Sequence, residues 1–454
     1  MLTAGVLKRL LVTLSNTCVK DAGVTQRGAA LLRALLRQQD GTLCELVAAA
    51  LTLPELLEDA AALRFGCRVF AAHFTPADVT LPGSLCTMMA CAHGALLRCT
   101  ECVVVVEVAM LALKSLAGAR DGAGAVLAAG CLPTVLLAMA HHAAAVHVQT
   151  AGCDLLWGVL LSCPAAVHEV AALGGVCVVM RALRRFRDAP RLQVVGIGVL
   201  HTLAVRRNTY EDVVVATGGF GVAAAALHDH ETNTGVLLNA CALLYVLGHR
   251  FAGTPAALQV MPAVMHVLES GPPNAPLQLA AAATLLEFVH GCAHNRSVFM
   301  SMGGAQALEA AMRAHPHNAA VQQVCCAVVV ALSLVVVDGE AACASLWALY
   351  RGADARWLLL LAASVYDAHA RFGSCASVQI AALMALCVLR GPQLSQRAMQ
   401  RCALLLQRHH DDATLHGVCS VLFAAQRTTP ASAVLAFAPA ALMTAWNPAV
   451  DLHV

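Results

Sequence analysis

The sequence predicts an all-α solenoid of about ten stacked helical units. Three observations predict this fold class: an apolar composition, a segment type that recurs about every 43 residues, and helical spacing of small and large side chains within that segment. Of the 454 residues, 59% are hydrophobic and 12% are charged, whereas soluble domains average about 45–50% and about 25%. Because disordered chains are polar and charged, this composition indicates an extensive buried core.

The recurring segment is 13 residues long and reads, for example, VQTAGCDLLWGVL from Val148 and LQVVGIGVLHTLA from Leu192. Its ten copies begin at Val24, Ala62, Val105, Val148, Leu192, Val236, Leu277, Val321, Val378 and Leu415. Most successive copies are 41–44 residues apart. The longer spacing of 57 residues between Val321 and Val378 implies an insertion, which we place near Asp367–Ser374.

Each copy has a small residue four positions after its start and a large apolar residue eight positions after it, such as Gly152 and Leu156. These two offsets lie on one face of a helix. The small residue is expected to let neighbouring backbones approach, while the large side chain fills the space beside it. One such unit cannot bury its apolar face alone, so the pattern predicts units that stack around a continuous core.

Further helical stretches lie between the copies and are interrupted by glycine pairs at Gly174–Gly175, Gly218–Gly219 and Gly303–Gly304. Because glycine tolerates backbone conformations that other residues avoid, each pair predicts a sharp bend between two helices.

The stretch NRSVFMSMGGAQALEAAMRAHPHNAAVQQVCCAVVVALS from Asn295 resembles one complete armadillo repeat. The matching parts are the Asn-Arg opening, the Gly-Gly turn, the second helix, the His-Pro turn and a third helix that opens with Val-Gln. The similarity to armadillo (beta-catenin-like) proteins covers roughly residues 20–427. It implies a right-handed α-α superhelix whose third helices line a concave groove for an extended peptide or a partner helix.

This resemblance also divides the chain into five expected segments. They are an N-terminal capping repeat (1–41), divergent repeats (42–121), well-formed repeats (122–338), C-terminal repeats that contain the insertion (339–427) and an apolar tail or cap (428–454).

Four residues at the tenth position of consecutive third-helix segments are candidate partner contacts: Lys114, Trp157, His201 and Tyr245. Large amphipathic side chains are typical anchors of binding energy, although ordinary packing between adjacent third helices explains the row equally well. The regular Trp and Asn positions of importin-alpha proteins are missing, which argues against nuclear-signal recognition. The chain has only three lysines, which argues against a strongly acidic ligand.

Two chemical signals compete with this interpretation. The first is VVVATGGFGVAAAAL, where Gly219, Gly221 and Ala224 match the glycine part of a dinucleotide fingerprint. The second is a cluster with partial zinc-ligand spacing, formed by Cys86, Cys91, His93, Cys99 and Cys102. We favour a structural role for both, because the glycine slot recurs without the rest of the fingerprint and cysteine is common on buried helical faces. No metal and no cofactor are therefore expected.

The sequence thus predicts a non-catalytic scaffold or adaptor that binds one or more proteins. Balanced charge, with 29 Lys and Arg against 27 Asp and Glu, gives no reason to expect a nucleic-acid partner. The alternative function is transport or membrane tethering through the apolar tail, Thr428 to Val454. A membrane span is not expected, because the longest strongly apolar stretch, Val324 to Val337, has only 14 residues and is expected to form one buried helix.

Twenty cysteines without regular spacing favour a reducing compartment, so we expect a cytoplasmic or cytoskeletal protein. A mitochondrial presequence in residues 1–20 is a weaker alternative, since that stretch contains basic residues and no acidic ones.

Overall fold

The computed structural model describes residues 103–206, 208–337, 340–343, 355–372 and 375–390, together with positions 89, 92–94, 96 and 97. These residues form seventeen helices and one two-stranded hairpin, and the predicted all-α helical-repeat fold is confirmed. The chain divides into two compact units at Gly219 and Phe220. The expected cap (1–41) and tail (428–454) lie outside the described residues, as does most of 42–121, and the expected segment boundaries stay predictions.

The first unit repeats a pattern of one short, one intermediate and one long helix. Its described helices are α1 (Val103–Ala117), α2 (Gly122–Ala128), α3 (Cys131–His141), α4 (Val146–Ser162), α5 (Ala166–Ala172), α6 (Gly175–Arg185), α7 (Pro190–Arg206) and α8 (Asn208–Ala216). The long helices α1, α4 and α7 are the third helices of their repeats. In order along the chain, each packs against the next.

The second unit follows the same pattern with two departures. Its elements are α9 (Gly219–Asp229), α10 (Thr234–Phe251), α11 (Pro255–Ser270), α12 (Ala275–Gly291), α13 (Ala293–Ser301), α14 (Gly304–Ala314), α15 (Ala319–Leu332), β1 (Leu334–Val337), β2 (Glu340–Cys343), α16 (Ala355–Arg371) and α17 (Ala376–Arg390). The third helices α10, α12, α15 and α17 again pack in chain order. One departure is α11, a single helix of 16 residues in the place of a first and a second helix.

The other departure is the hairpin, where β1 pairs antiparallel with β2. The expectation of one helix from Val324 to Val337 is therefore wrong for its last residues, because α15 ends at Leu332. The run Leu-Val-Val-Val is rich in β-branched residues and precedes an Asp-Gly pair, a combination that favours a strand and a hairpin turn over a helix.

The repeat that contains α16 and α17 is longer than the others. Its extra residues are distributed differently from the insertion that was expected near Asp367–Ser374. Residues 367–371 belong to the continuous helix α16. Extra residues lie between Leu332 and Ala355, and α16 itself has 17 residues where α14 has 11.

The small and large positions of the recurring segment form the core of both units. Every described small position is buried: Ala109, Gly152, Gly196, Ala240, Ala281, Cys325 and Ala382. Every described large position is buried too: Leu113, Leu156, Leu200, Leu244, Leu285, Val329 and Leu386. These burials agree with the predicted stacking of amphipathic units.

The small residue was expected to bring neighbouring backbones together. It instead leaves room for a side chain of the preceding helix. A Cβ atom on Gly152 would lie 2.5 Å from Sδ of Met139 on α3, and one on Gly196 would lie 2.7 Å from Cδ2 of Leu183 on α6. The missing side chain therefore makes room for a second-helix side chain of the same repeat, because the interior is close-packed.

Glycine shapes the bends between first and second helices, as predicted. Gly130, Gly174 and Gly303 have φ angles of 65°, 74° and 91°, a left-handed conformation that disfavours other residues. The helix axes turn by 78° between α2 and α3 and by 71° between α5 and α6.

A buried glutamine joins the second and third helices in five repeats. These residues are Gln149, Gln193, Gln278, Gln322 and Gln379. Gln322 donates from Nε2 to the carbonyl oxygens of Met312 at 2.7 Å and His315 at 3.0 Å, and the other four bond in the same way to the end of their own preceding helix. The last carbonyls of a helix lack partners within it, and the glutamines supply donors to them; carbonyls such as that of His315 also accept a backbone N–H.

By length and composition, one described helix, α10, is long and apolar enough to cross a membrane. Three pairs of helices joined by a bend also pass this test together, so the described residues could contain up to four spans if each pair is one span. From the sequence, α10 is expected as the third helix that begins near Val236 and not as a span, since Asn239, His249 and Arg250 interrupt its apolar run. Half of α10 is buried among other helices, and its place as a third helix accounts for its apolar side chains.

The glutamine bonds lead to a stability prediction. Gln322→Leu leaves the carbonyl oxygen of Met312 buried without its donor, while that of His315 keeps only the backbone N–H of Asn318, so we expect the free energy of unfolding to fall by about 1–3 kcal/mol. Urea denaturation followed by circular dichroism measures the change. The matched control is Gln323→Leu, since Gln323 is half-exposed on the same helix. Equal loss in both variants would contradict the role given to Gln322.

Candidate functional site

Each of the three third helices of the first unit leaves part of one face exposed. These faces, together called the third-helix surface below, consist of Val103, Glu107, Leu111 and Lys114 on α1; His147, Thr150, Trp157, Gly158 and Leu161 on α4; and Arg191, Val194, His201 and Val205 on α7. Within each helix these residues are spaced mainly by three or four positions, which places them on one side of it.

One of the four third helices of the second unit, α12, offers no such face. All residues from Leu277 to Val289 are buried. Its alanine-rich run, LAAAAT, has short side chains, so neighbouring elements can cover it. The surface available to another molecule is therefore wider on the described part of the first unit than on α12.

A cleft of about 370 Å³ opens on the third-helix surface. It is bordered by α1, by α4 and by the first turn of α7, and its volume lies in the range of ligand-binding clefts. Leu111, Ala151 and Leu192 contribute apolar walls, and charged groups come from Glu107, Asp154 and Arg191.

Asp154 is the centre of a charge network that joins three helices. Its Oδ2 atom lies 2.5 Å from Nζ of Lys114 on α1 and 3.4 Å from Nη2 of Arg191 on α7. The Asp154 side chain is only 12% exposed, and a carboxylate with so little water needs a cationic partner. The Arg191 side chain is 74% exposed, so Lys114 is the closer and better shielded counter-ion.

Three of the four predicted partner contacts lie on this surface. Lys114 is half-buried and bound to Asp154. The Trp157 ring rests on the backbone of Gly198 in α7, where a Cβ atom would come within 2.5 Å of Cε2. His201 is half-buried on α7. For Lys114 and Trp157 the contacts are with the next third helix, and their role in partner binding stays a prediction.

The fourth predicted contact, Tyr245, belongs to the second unit and hydrogen bonds to Glu287 on α12. Burial, together with the charge of Glu287, raises the pKa of the Tyr245 hydroxyl, which therefore stays protonated and donates. Glu287 is 4% exposed, and His249 Nδ1 lies 3.3 Å from its Oε2 atom. Burial raises the pKa of Glu287, while His249 and Tyr245 partly oppose that shift.

The described residues give little support to a dinucleotide site or to a zinc site. In the fingerprint-like segment, Val213–Ala216 is the end of helix α8, where a dinucleotide site needs a strand. The cysteines of the zinc-like cluster lie outside the described residues, and Nε2 of His93 lies 2.8 Å from Oγ1 of Thr134. Among the residues that the structure describes, no group of three His, Cys, Asp or Glu side chains could hold a metal ion.

Glu107, Asp154 and Arg191 were not among the candidate residues predicted from the sequence. Asp154 was detectable in principle, because it is the only charged residue within an otherwise apolar copy of the recurring segment. The pairing of Asp154 with Lys114 and Arg191 was not detectable, since each of them lies about 40 residues from Asp154 in the sequence.

Comparison with known proteins gives a fold but no family. No family model and no curated protein matches the chain. A crystal structure of an engineered protein matches with a TM-score of 0.62 and 14% identity over 92% of this chain and 99% of that one. A second match comes from the structure described as "A conserved phosphorylation switch controls the interaction between cadherin and beta-catenin in vitro and in vivo", with a TM-score of 0.66 and 15% identity over 92% of this chain and 81% of that one. The chain therefore has an all-α solenoid fold that is similar to these two structures.

The buried Glu287 gives a pH-dependent prediction. Because burial raises its pKa above the usual value of 4.5, ionising Glu287 destabilises the fold as the pH rises from 4.5 through the raised pKa. Glu287→Gln keeps a hydrogen-bond acceptor for Tyr245 and removes the charge, so we expect a higher Tm than wild type at neutral pH and no gain near pH 4. Thermal melts across this pH range measure the difference.

The control is Glu231→Gln, since Glu231 is exposed and only loosely paired with His228. A Glu287→Gln variant that is less stable than wild type at neutral pH would show that its pairing with His249 outweighs the penalty of burial.

Proposed function

We propose that this protein is a non-catalytic scaffold that holds a protein partner on the third-helix surface of its first unit. The observation that carries the proposal is the partly exposed face that each of the neighbouring helices α1, α4 and α7 presents. The comparison supports protein binding in general terms, since one matched structure concerns an interaction between cadherin and beta-catenin.

The end of the third-helix surface that lies opposite the cleft is apolar. Leu161 on α4 is 52% exposed and Val205 on α7 is 39% exposed. Both are fourteenth positions of their repeats, and α4 and α7 are neighbours. Trp157 lies one helical turn before Leu161. Exposed apolar side chains that cluster beside an aromatic residue are typical of protein-binding surfaces.

We further propose that the partner contacts Trp157, His201 and the cleft residues, and that the protein works in the cytoplasm or on the cytoskeleton. The membrane-tethering alternative depends on the tail, 428–454, which lies outside the described residues.

Leu161→Asp tests the proposed surface. Wild-type protein is first purified from its own cells with chemical cross-linking, and the stoichiometric partner is identified by mass spectrometry and produced in pure form. A charge at an exposed apolar contact should then weaken binding by about tenfold or more in titration calorimetry, while circular dichroism confirms an unchanged fold.

The matched control is Leu137→Asp, because Leu137 is 68% exposed but lies on the second helix α3. We expect its affinity to match that of wild type. Loss of binding in Leu137→Asp with full binding in Leu161→Asp would place the partner on another surface and refute the proposal.

A further inference from the structure

The cleft on the third-helix surface is bordered by two separate charges of opposite sign. Glu107 on α1 is half-buried in the cleft wall, and within the described part of the chain it has no ion-pair partner. Lys114 lies two helical turns further along α1 and is bound to Asp154, so it does not neutralise Glu107. At the opposite border, Arg191 lies in the first turn of α7 and extends into solvent.

Arg191 can bind another group without leaving a buried charge behind. Lys114 already neutralises Asp154 at 2.5 Å, whereas Arg191 is 3.4 Å away. The first turn of α7, which contains Arg191, borders this end of the cleft. Helix N-termini carry partial positive charge, so this one reinforces the preference of this end for an anion.

Between these two charges, Leu111, Ala151 and Leu192 contribute apolar surface, beside Thr150, His147 and the Asp154 carboxylate that Lys114 neutralises. Neighbouring packed helices are about 8–10 Å apart, so a segment that crosses from α1 over α4 to α7 spans roughly 20 Å. An extended chain advances about 3.3 Å per residue and covers that span in about six residues.

We propose that the segment seated in this cleft is extended and carries a basic and an acidic side chain about six positions apart, with an apolar side chain between them. Glu107 binds the basic side chain, Arg191 binds the acidic one, and the apolar walls hold the residue between them. The inference rests on the proposed function and specifies the chemistry of the bound segment.

Four synthetic heptapeptides test the proposal: acetyl-Lys-Ala-Ala-Leu-Ala-Ala-Glu-amide and three versions with Gln at both ends, Lys at both ends or Glu at both ends. Binding to the full chain is measured by titration calorimetry at low salt, and methyl NMR of Leu111 and Leu192 locates the site. The Lys–Glu peptide should bind best, about fivefold tighter than the Gln peptide, because two partly exposed ion pairs each contribute a few-fold. Salt should reduce this difference.

Protein variants test each charge separately. Glu107→Lys should make the peptide with two Glu residues the best ligand, and Arg191→Gln should make the Lys–Glu peptide no better than the one with Lys at both ends. Glu169→Gln on α5 and Arg181→Gln on α6 are the matched controls and should leave the order of affinities unchanged.

Three results would overturn the inference: equal affinity for the Gln and Lys–Glu peptides, a preference of wild-type protein for two like charges, or no binding of any peptide. None of them would refute the proposed scaffold function, which is decided separately by the effect of Leu161→Asp on the natural partner.

Discussion

The contact between one third helix and the next is the constraint on which the rest of the structure depends. A third helix has too many apolar residues to face water on more than one side, and stacking against its neighbours buries most of them. The small position of each repeat receives a second-helix side chain, as Gly152 receives Met139. The large position fills the core. The spacing of about 43 residues therefore reflects the length of chain needed to return to the same place in the next repeat.

Polar groups inside this apolar stack fix how the helices are joined. The repeated glutamine ties the start of a third helix to the end of the second helix. Asn233, Asn274 and Asn318 cap third helices by accepting a hydrogen bond from the backbone. Unpaired polar groups are costly when buried, so these bonds favour one arrangement over alternatives with similar apolar contacts. The same rigidity holds the third-helix surface of the first unit in a fixed shape.

Much of the fold could be predicted from the sequence because it repeats. Periodicity located the third helices, and the glycine pairs located the bends between first and second helices. Local preference decided other features: Leu334–Val337 forms a strand where helical periodicity was expected to continue. The charge network around Asp154 and the burial of α12 were beyond sequence reasoning, since both depend on residues from separate repeats. The cleft is likewise a product of three helices and has no signature in any one of them.

Photo-cross-linking is the most direct test of the central claim that the partner lies on the third-helix surface. A photoreactive phenylalanine analogue is placed at position 161 or at position 137, both of which have exposed leucine side chains in the native chain. Irradiation of the complex with the purified partner is followed by mass spectrometry. The account predicts a covalent adduct from position 161 and none from position 137. An adduct from position 137 alone would contradict it.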